Sequence, residues 1–81
     1  MLTLYQFESC PYCQMVRQKL SDLELTYKSV CVSPDRDRRP GVIQVSGQAS
    51  VPVLVDGNVV LSDEGEIVRY LDQNYGVGGQ R

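Results

Sequence analysis

The first 32 residues alternate strand-like and helix-like segments, and this alternation constrains the fold more than any other feature of the sequence. Residues 2–7 form an apolar run with little charge, which predicts a strand buried on both faces. From residue 11 onward an apolar stripe at helical spacing predicts a helix that ends at about residue 22. The stripe consists of Val16, Leu20 and Leu23. Residues 25–32 are rich in β-branched and aromatic side chains and predict a second strand. A strand, a helix and a strand in this length form a βαβ unit with parallel strands.

The middle of the chain predicts a short helix followed by a hairpin. The helix is expected to begin near Pro40, because proline is favoured at the first helical position, and to end at Gly47. Residues 51–55 and 59–61 predict two strands, and Asp56-Gly57-Asn58 between them has the composition of a tight turn. These two strands should therefore be antiparallel neighbours.

A final helix is expected after the hairpin. Asp63 and Glu66 have the spacing of a capping box, in which side chains satisfy backbone N–H groups at a helix start. Gly76 suits the residue that ends a helix, so residues 77–81 are expected to form a flexible tail behind one domain at 1–76. The order β-α-β-α-β-β-α predicts an α/β fold, with a four-stranded mixed sheet and helices packed on both faces.

Composition and charge narrow the classes of function. A length of 81 residues suits one domain, and a net charge of −2 gives no reason to expect nucleic acid or an anionic membrane as a partner. No apolar stretch approaches the ~20 residues that span a bilayer, and no signal peptide is evident. An odd count of three cysteines argues against a disulfide framework and for a reducing compartment. Because histidine is absent, a zinc site of Cys and His ligands is not expected. We expect a cytoplasmic monomer.

Cys10-Pro11-Tyr12-Cys13 lies between the first predicted strand and the first predicted helix. Two thiols at this spacing can close a small disulfide ring on the first turn of a helix, and near a βαβ unit they indicate a thioredoxin-like redox motif. Unpaired N–H groups and the positive end of the helix dipole favour a thiolate at Cys10. Without histidine, its reactivity must come from backbone dipoles or cations. Cys31 is expected to be a small buried residue of the second strand, with a regulatory role as the alternative.

Several features together resemble a glutaredoxin. They are the order of elements, Cys10-Pro11-Tyr12-Cys13, Ser50-Val51-Pro52 before a strand, and an acidic start to the last helix. The resemblance runs from about Met1 to Gly76, and residues 53–76 also resemble the N-terminal domain of glutathione transferases. It implies a thioredoxin-like fold and a glutathione-dependent thiol–disulfide oxidoreductase that acts on disulfide-bonded or glutathionylated client proteins. Glutathione would be a co-substrate, with no tightly bound cofactor and no metal.

The resemblance also implies roles for residues around the two thiols. Cys10 corresponds to the nucleophile, and Cys13 corresponds to the resolving thiol. Pro52 corresponds to a cis proline that faces the cysteines, and the Val51 backbone to groups that pair with the cysteinyl part of glutathione. Tyr12 either packs over the ligand or is simply a partly exposed ring.

The two ends of glutathione have further candidates. Asp63 and the N–H groups after it correspond to the site of the γ-glutamyl end, although Asp63 could also be only an N-cap. Either Ser62 or Asp63 could be the cap. Glu64 stands where transferases have a serine and places a second negative charge beside an anionic ligand. Arg39 lies near the position that contacts the glycyl carboxylate. It belongs to a cluster with Arg36 and Arg38 that is expected to be a solvated loop or helix start, with a role in holding a ligand carboxylate as the alternative.

Departures from the glutaredoxin pattern leave other functions open. Phe7 stands where many glutaredoxins have a lysine, and Glu8 is the nearest ionisable neighbour of Cys10 in the sequence, so the helix start must supply most of the activation. A thioredoxin-like electron donor recharged by a flavoprotein reductase would fit the missing lysine. A non-enzymatic alternative is a carrier of an iron–sulfur cluster ligated by glutathione. A third is a conjugating transferase, although such enzymes usually need a helical domain to hold the electrophile.

Overall fold

Four strands and three α-helices make up the described part of the chain, which in the computed structural model comprises residues 2–76. The strands are β1 (Leu2–Gln6), β2 (Tyr27–Cys31), β3 (Val53–Asp56) and β4 (Val59–Leu61). The helices are α1 (Pro11–Asp22), α2 (Pro40–Ser46) and α3 (Glu64–Leu71). A 3₁₀ turn at Arg36–Arg38 precedes α2, and a π-helical turn at Asp72–Gly76 follows α3. The predicted order β-α-β-α-β-β-α is confirmed.

The strands form one mixed sheet in the order β2-β1-β3-β4. Strand β1 is parallel to β2 and antiparallel to β3. The β3–β4 hairpin turns through Gly57, whose φ of 63° lies in the region that glycine adopts at no steric cost. Because Tyr5 pairs with Val53, the segment that leaves β1 lies beside the segment that enters β3. This register brings the residues around Cys10 towards Val51 and Pro52.

Helices α1 and α3 pack on one face of the sheet. The core cluster there consists of Leu2, Leu4, Val16, Leu20, Leu54, Ile67 and Leu71. Burial of each such aliphatic side chain contributes about 1.5–3 kcal/mol, and this layer therefore holds the start of α1 in place. Side chains alternate between the two faces along a strand, so Val53, the neighbour of Leu54 in β3, points to the other face of the sheet. Helix α2 contributes Val42, which is fully buried and lies outside the cluster. The predicted α/β fold, a four-stranded mixed sheet flanked by three helices, is confirmed.

Strand boundaries and burial differ in places from the prediction. The sequence predicts strands at 2–7, 25–32 and 51–55, whereas β1 ends one residue earlier, β2 is shorter at both ends, and β3 begins at residue 53. Burial alternates along β1, so the prediction of a strand buried on both faces is wrong. Cys31 is exposed rather than buried, because it lies at the end of β2, an edge strand with a neighbour on one side only.

The sequence predicts a terminal glycine for α2 and for α3, and the structure shows one for α2 only. Gly47 has a φ of 82° and ends α2 as predicted, and its N–H donates to the carbonyl of Ile43. Gly76 does not adopt a left-handed conformation, because the chain continues from α3 into the π-helical turn. The predicted flexible tail at residues 77–81 lies outside the described residues. No helix within residues 2–76 has the length and apolar character needed to cross a membrane.

The π-helical turn is held by a carboxylate of the hairpin. Tyr70 and Tyr75 are five residues apart, and the wide turn lets both hydroxyls donate to Oδ2 of Asp56, at 2.7 and 2.5 Å. The hydrogen bonds from Tyr75 and Tyr70 hold the pKa of Asp56 below its ordinary value. Hydrogen bonding to Asp56 in turn raises the pKa of Tyr70 to about 12. An ion pair of 2.8 Å between Lys19 and Asp72 ties the turn to α1.

Candidate active site

Cys10 is the N-cap of α1 and has the extended conformation typical of that position (φ −75°, ψ 119°). Its Sγ accepts a hydrogen bond from the backbone N–H of Cys13 at 3.3 Å, and Pro11 occupies the start of the helix. A sulfur atom in this position receives an N–H donor and the positive end of the helix dipole, both of which stabilise negative charge. The geometry expected from the sequence is therefore present.

Cys13 lies one turn further along α1 and is fully buried. Burial, together with a hydrogen bond between the two thiols, raises the pKa of Cys13 to about 12. At neutral pH Cys13 is therefore a protonated thiol, and Cys10 is the cysteine of the pair that lines a cleft described below. The two sulfur atoms have unequal environments although their side chains are identical.

Arg17 supplies a cation that the sequence argument missed. Its guanidinium donates to the backbone carbonyls of Glu8 at 3.1 Å and Phe7 at 3.5 Å, and to the side chain of Gln6 at 2.5 Å. These bonds fix the loop that joins β1 to α1. The positive charge also acts to lower the pKa of Cys13, although burial outweighs it. Arg17 lies four residues after Cys13, a spacing that places two residues on one helix face and could have identified it.

The segment before β3 completes the surroundings of the thiols. The peptide bond between Val51 and Pro52 is cis, as the resemblance to glutaredoxins implies. Pro52 is fully buried, and Val51 is partly exposed. Val51 thus lies where an extended ligand could pair with a backbone edge beside Cys10.

A cleft of about 640 Å³ brings these segments together. It is lined by Phe7, Cys10, Pro11, Tyr12, Arg36, Arg39, Gln48, Ser50, Val51, Ser62, Asp63 and Glu64. Every predicted site residue belongs to this lining except Cys13 and Pro52, which are fully buried. Gln48 lines the cleft without having been singled out from the sequence, whereas Arg36 and Ser50 belong to the arginine-rich segment and to the Ser50-Val51-Pro52 motif noted there. The volume is within the range of small-molecule sites. A second cleft of about 420 Å³, between α1 and α3, has no cysteine in its lining.

Arg39 and Arg36 differ in how far their guanidinium groups are already engaged. Arg39 is only 7% exposed, and it donates to the carbonyls of Ser33 (2.8 Å), Ala49 (2.8 Å) and Pro34 (3.1 Å). Its guanidinium therefore braces the loop before α2, although Arg39 also lines the cleft. Arg36 is exposed and makes one side-chain hydrogen bond within residues 2–76, to Oγ of a serine at 3.2 Å. Arg36 is thus the cation with donors available to a ligand.

Arg39 is also positioned by an aromatic ring. The guanidinium carbon lies 5.2 Å from the centroid of the Phe7 ring, within the range of a cation–π contact. Phe7, which replaces the lysine of many glutaredoxins, therefore has a packing role in this wall of the cleft. The sequence could not show this contact, because it joins residues 32 positions apart in the chain.

The start of α3 forms the acidic part of the cleft. Asp63 is the N-cap, and its Oδ2 accepts the backbone N–H of Glu66 at 3.0 Å, which decides between Ser62 and Asp63 as the cap. Glu64 is the first residue of the helix and is partly buried. Within residues 2–76 no ion pair joins these carboxylates to Arg36 or Arg39. The positive groups come from the segment that leads into α2, and the negative groups come from the start of α3.

Comparison with known proteins gives relatives of two kinds. Mouse prostaglandin E synthase 2 is 39% identical over 83 residues, which cover 98% of this chain and 21% of that protein. A glutaredoxin-like 8.6 kDa protein from the rubredoxin operon of Clostridium pasteurianum is 27% identical over 75 residues, covering 90% of this chain and 100% of that protein. The chain thus spans about a fifth of the length of the synthase and matches the whole of the small protein.

Solved structures agree with the fold. A glutathione transferase homologue from Drosophila mojavensis, determined with bound glutathione, superimposes with a TM-score of 0.86 at 27% identity. The match covers 93% of this chain and 35% of that one. The family model of the glutathione S-transferase N-terminal domain matches residues 4–80, and the chain belongs to this thioredoxin-like family.

Proposed function

We propose that this chain is a glutathione-dependent thiol–disulfide oxidoreductase of the dithiol glutaredoxin type. The observation that carries the proposal is the unequal pair of thiols at a ligand-sized cleft. Cys10 caps α1 and lines the cleft although it is only 5% exposed, whereas Cys13 is fully buried behind it as a protonated thiol. The small glutaredoxin-like relative and the glutathione in the transferase homologue's structure support a glutathione-related role.

The reaction begins with attack of the Cys10 thiolate on a disulfide of the substrate. A new S–S bond forms to Cys10, the substrate S–S bond breaks, and the leaving thiolate takes a proton from solvent. With a glutathionylated client, the client thiol leaves and glutathione stays on Cys10. A second glutathione thiolate then attacks the adduct and releases glutathione disulfide. One glutathione disulfide is formed for each client thiol released.

A protein disulfide follows the route through both cysteines. After Cys10 has formed a mixed disulfide with the client, Cys13 loses its proton and attacks Cys10 Sγ, which releases the second client thiol and leaves a Cys10–Cys13 disulfide. Two glutathione molecules reduce that disulfide and leave as glutathione disulfide. Because burial keeps Cys13 protonated at neutral pH, this route should be slower than reduction of a glutathione adduct by free glutathione.

Glutathione has groups that match the cleft. Its cysteinyl part would pair with the Val51 backbone, its ammonium would lie near Asp63 at the start of α3, and its glycyl carboxylate would lie near Arg36. Arg36 replaces Arg39 in this assignment, because the Arg39 guanidinium is engaged by three backbone carbonyls. Tyr12 is 54% exposed at the rim, where its ring could cover the ligand.

The test is reduction of a glutathionylated peptide by glutathione. The exposed Cys31 should be changed to serine in every variant, so that only the cysteine pair can exchange. The proposal expects Cys10→Ser to be inactive and Cys13→Ser to keep substantial activity. If the parent protein fails with glutathione but reduces disulfides with NADPH and a thioredoxin reductase, the thioredoxin-like alternative is correct.

Conjugation of glutathione to an electrophile is the second candidate, because the family includes transferases. That reaction forms a thioether and consumes no disulfide. Assay with 1-chloro-2,4-dinitrobenzene separates the two functions, and the oxidoreductase proposal expects no conjugation above the uncatalysed rate. Conjugation without reduction of the glutathionylated peptide would favour the transferase.

A further inference from the structure

The lining of the cleft is divided by charge. Arg36 and Arg39 come from the segment before α2, and Asp63 and Glu64 come from the start of α3. The two pairs form no ion pair with each other within residues 2–76. A ligand that contacts both elements therefore meets positive charge at the segment before α2 and negative charge at the start of α3.

Glu64 is the residue that makes the α3 end negative towards a ligand. Oδ2 of Asp63 accepts the N–H of Glu66, so part of the Asp63 charge is already engaged in capping α3. The Glu64 carboxylate accepts no hydrogen bond and forms no ion pair from the part of the chain that the structure describes. Glu64 is also partly buried, so its charge is less screened than that of a fully exposed carboxylate.

Two opposing effects act on a ligand at this end. The first N–H groups of α3 attract a carboxylate, and a carboxylate of the chain beside them repels it. A ligand ammonium is attracted by both Asp63 and Glu64 and is repelled only by the positive end of the helix dipole. Because the charge of Glu64 alone exceeds the roughly half charge of a helix terminus, and Asp63 adds to it, the balance at this end favours a cation.

We propose that Glu64 is a specificity-determining residue that makes the α3 end of the cleft select an ammonium group and disfavour a carboxylate. The inference rests on the proposed function, since it concerns which thiol compound Cys10 exchanges with. The preferred substrate is a disulfide in which the recognised thiol compound carries an amine without an adjacent carboxylate at the α3 end. At the Arg36 end the compound carries a carboxylate. Glutathione, which has both groups at its γ-glutamyl end, is accepted but is not the optimal ligand.

Three tripeptides isolate this effect. They are glutathione, 4-aminobutyryl-cysteinylglycine, which lacks only the γ-glutamyl α-carboxylate, and glutaryl-cysteinylglycine, which lacks only the amine. Each is joined by a disulfide to the same reporter peptide, and the second-order rate constant for release of the reporter thiol is measured with the reduced protein. The variants are Glu64→Gln and Glu66→Gln. Glu66→Gln is the control, because it removes the same charge from the same helix turn at an exposed residue outside the cleft.

The expected order for the parent protein is 4-aminobutyryl compound, then glutathione, then glutaryl compound. Glu64→Gln should raise the rate ratio of glutathione to the 4-aminobutyryl compound about fivefold, and Glu66→Gln should change it less than twofold. If the parent protein prefers glutathione to the 4-aminobutyryl compound, and Glu64→Gln leaves the ratio of these two rates unchanged, the inference is overturned while the proposed function stands. An equal change in both variants would also overturn it, because the effect would then be one of net charge.

Binding measurements separate this inference from the proposed reaction. The S-methyl derivatives of the three tripeptides cannot exchange, and their dissociation constants by calorimetry should follow the same order and respond to Glu64→Gln in the same way. If the order holds in binding while no reporter is released, the proposed function fails and the selectivity stands. If reporter is released without this order in rate or in binding, only the selectivity fails.

Discussion

Replacing each of the two cleft arginines by glutamine should separate a structural role from a ligand-binding role. Arg39→Gln removes three hydrogen bonds from a buried guanidinium and leaves the carbonyls of Ser33, Pro34 and Ala49 without their donor. A hydrogen bond to a charged group contributes about 1.5–3 kcal/mol, and water can reach part of this loop, so the net loss should be about 2–4 kcal/mol. Arg36→Gln removes an exposed charge and should change the free energy of unfolding by less than about 0.5 kcal/mol.

Urea and thermal unfolding, each followed by circular dichroism, measure the loss of stability in Arg39→Gln. For a domain of this length, 1 kcal/mol corresponds to roughly 4–8 °C in Tm, so Arg39→Gln should lower Tm by about 10 °C or more. Steady-state reduction of a glutathionylated peptide measures the ligand-binding role of Arg36. Arg36→Gln should raise KM about two- to fivefold with kcat little changed. Arg39→Gln that leaves unfolding unchanged but raises KM would refute the reasoning, because its guanidinium would then serve the ligand.

Two further predictions follow from groups with shifted pKa values. Asp56→Asn should destabilise the fold by about 1–2 kcal/mol, as measured by urea unfolding, because the hydroxyls of Tyr70 and Tyr75 lose a charged acceptor. Because the pKa of folded Asp56 is lowered and that of Tyr70 is raised to about 12, the parent protein should have this extra stability in full between the unfolded pKa values of about 4 and about 10. It should disappear as pH falls through the pKa of Asp56, and again as pH rises from about 10 to 12; an unaltered pH profile in the variant would contradict this. Iodoacetamide at pH 7.5 should modify the exposed Cys31 of the folded protein and spare Cys13, whose thiol is buried and has a pKa of about 12; early carbamidomethylation of Cys13 in peptide mass spectra would exclude the proposed asymmetry.

Features that depend on local spacing were predictable from the sequence. The order of elements follows from apolar periodicity and from the turn residues, and the position of Cys10 follows from a strand that ends just before a helix start. Asp63 as N-cap is likewise a local feature, since its partner is the N–H three residues later. These predictions hold because each rests on neighbours within a turn or two of the chain.

Features that depend on distant partners were not predictable. Arg39 was assigned to a ligand carboxylate from its position in the resemblance to glutaredoxins, whereas the carbonyls that bind it lie in two separate loops. The π-helical turn after α3 places the hydroxyls of Tyr70 and Tyr75 on Asp56, which lies 19 residues before Tyr75 in the chain. Cys31 was expected to be buried because strand cysteines often are, but strand order alone decides that β2 is an edge.

The central claim is that Cys10 takes glutathione from a substrate onto its own sulfur. The most direct measurement mixes the Cys13→Ser, Cys31→Ser variant with a glutathionylated peptide, quenches the reaction with acid, and identifies the adduct by peptide mass spectrometry. The expected product is one glutathionyl group on Cys10 and an equal amount of free peptide thiol. An adduct that carries the client peptide instead, or no adduct while the peptide stays oxidised, would contradict the account.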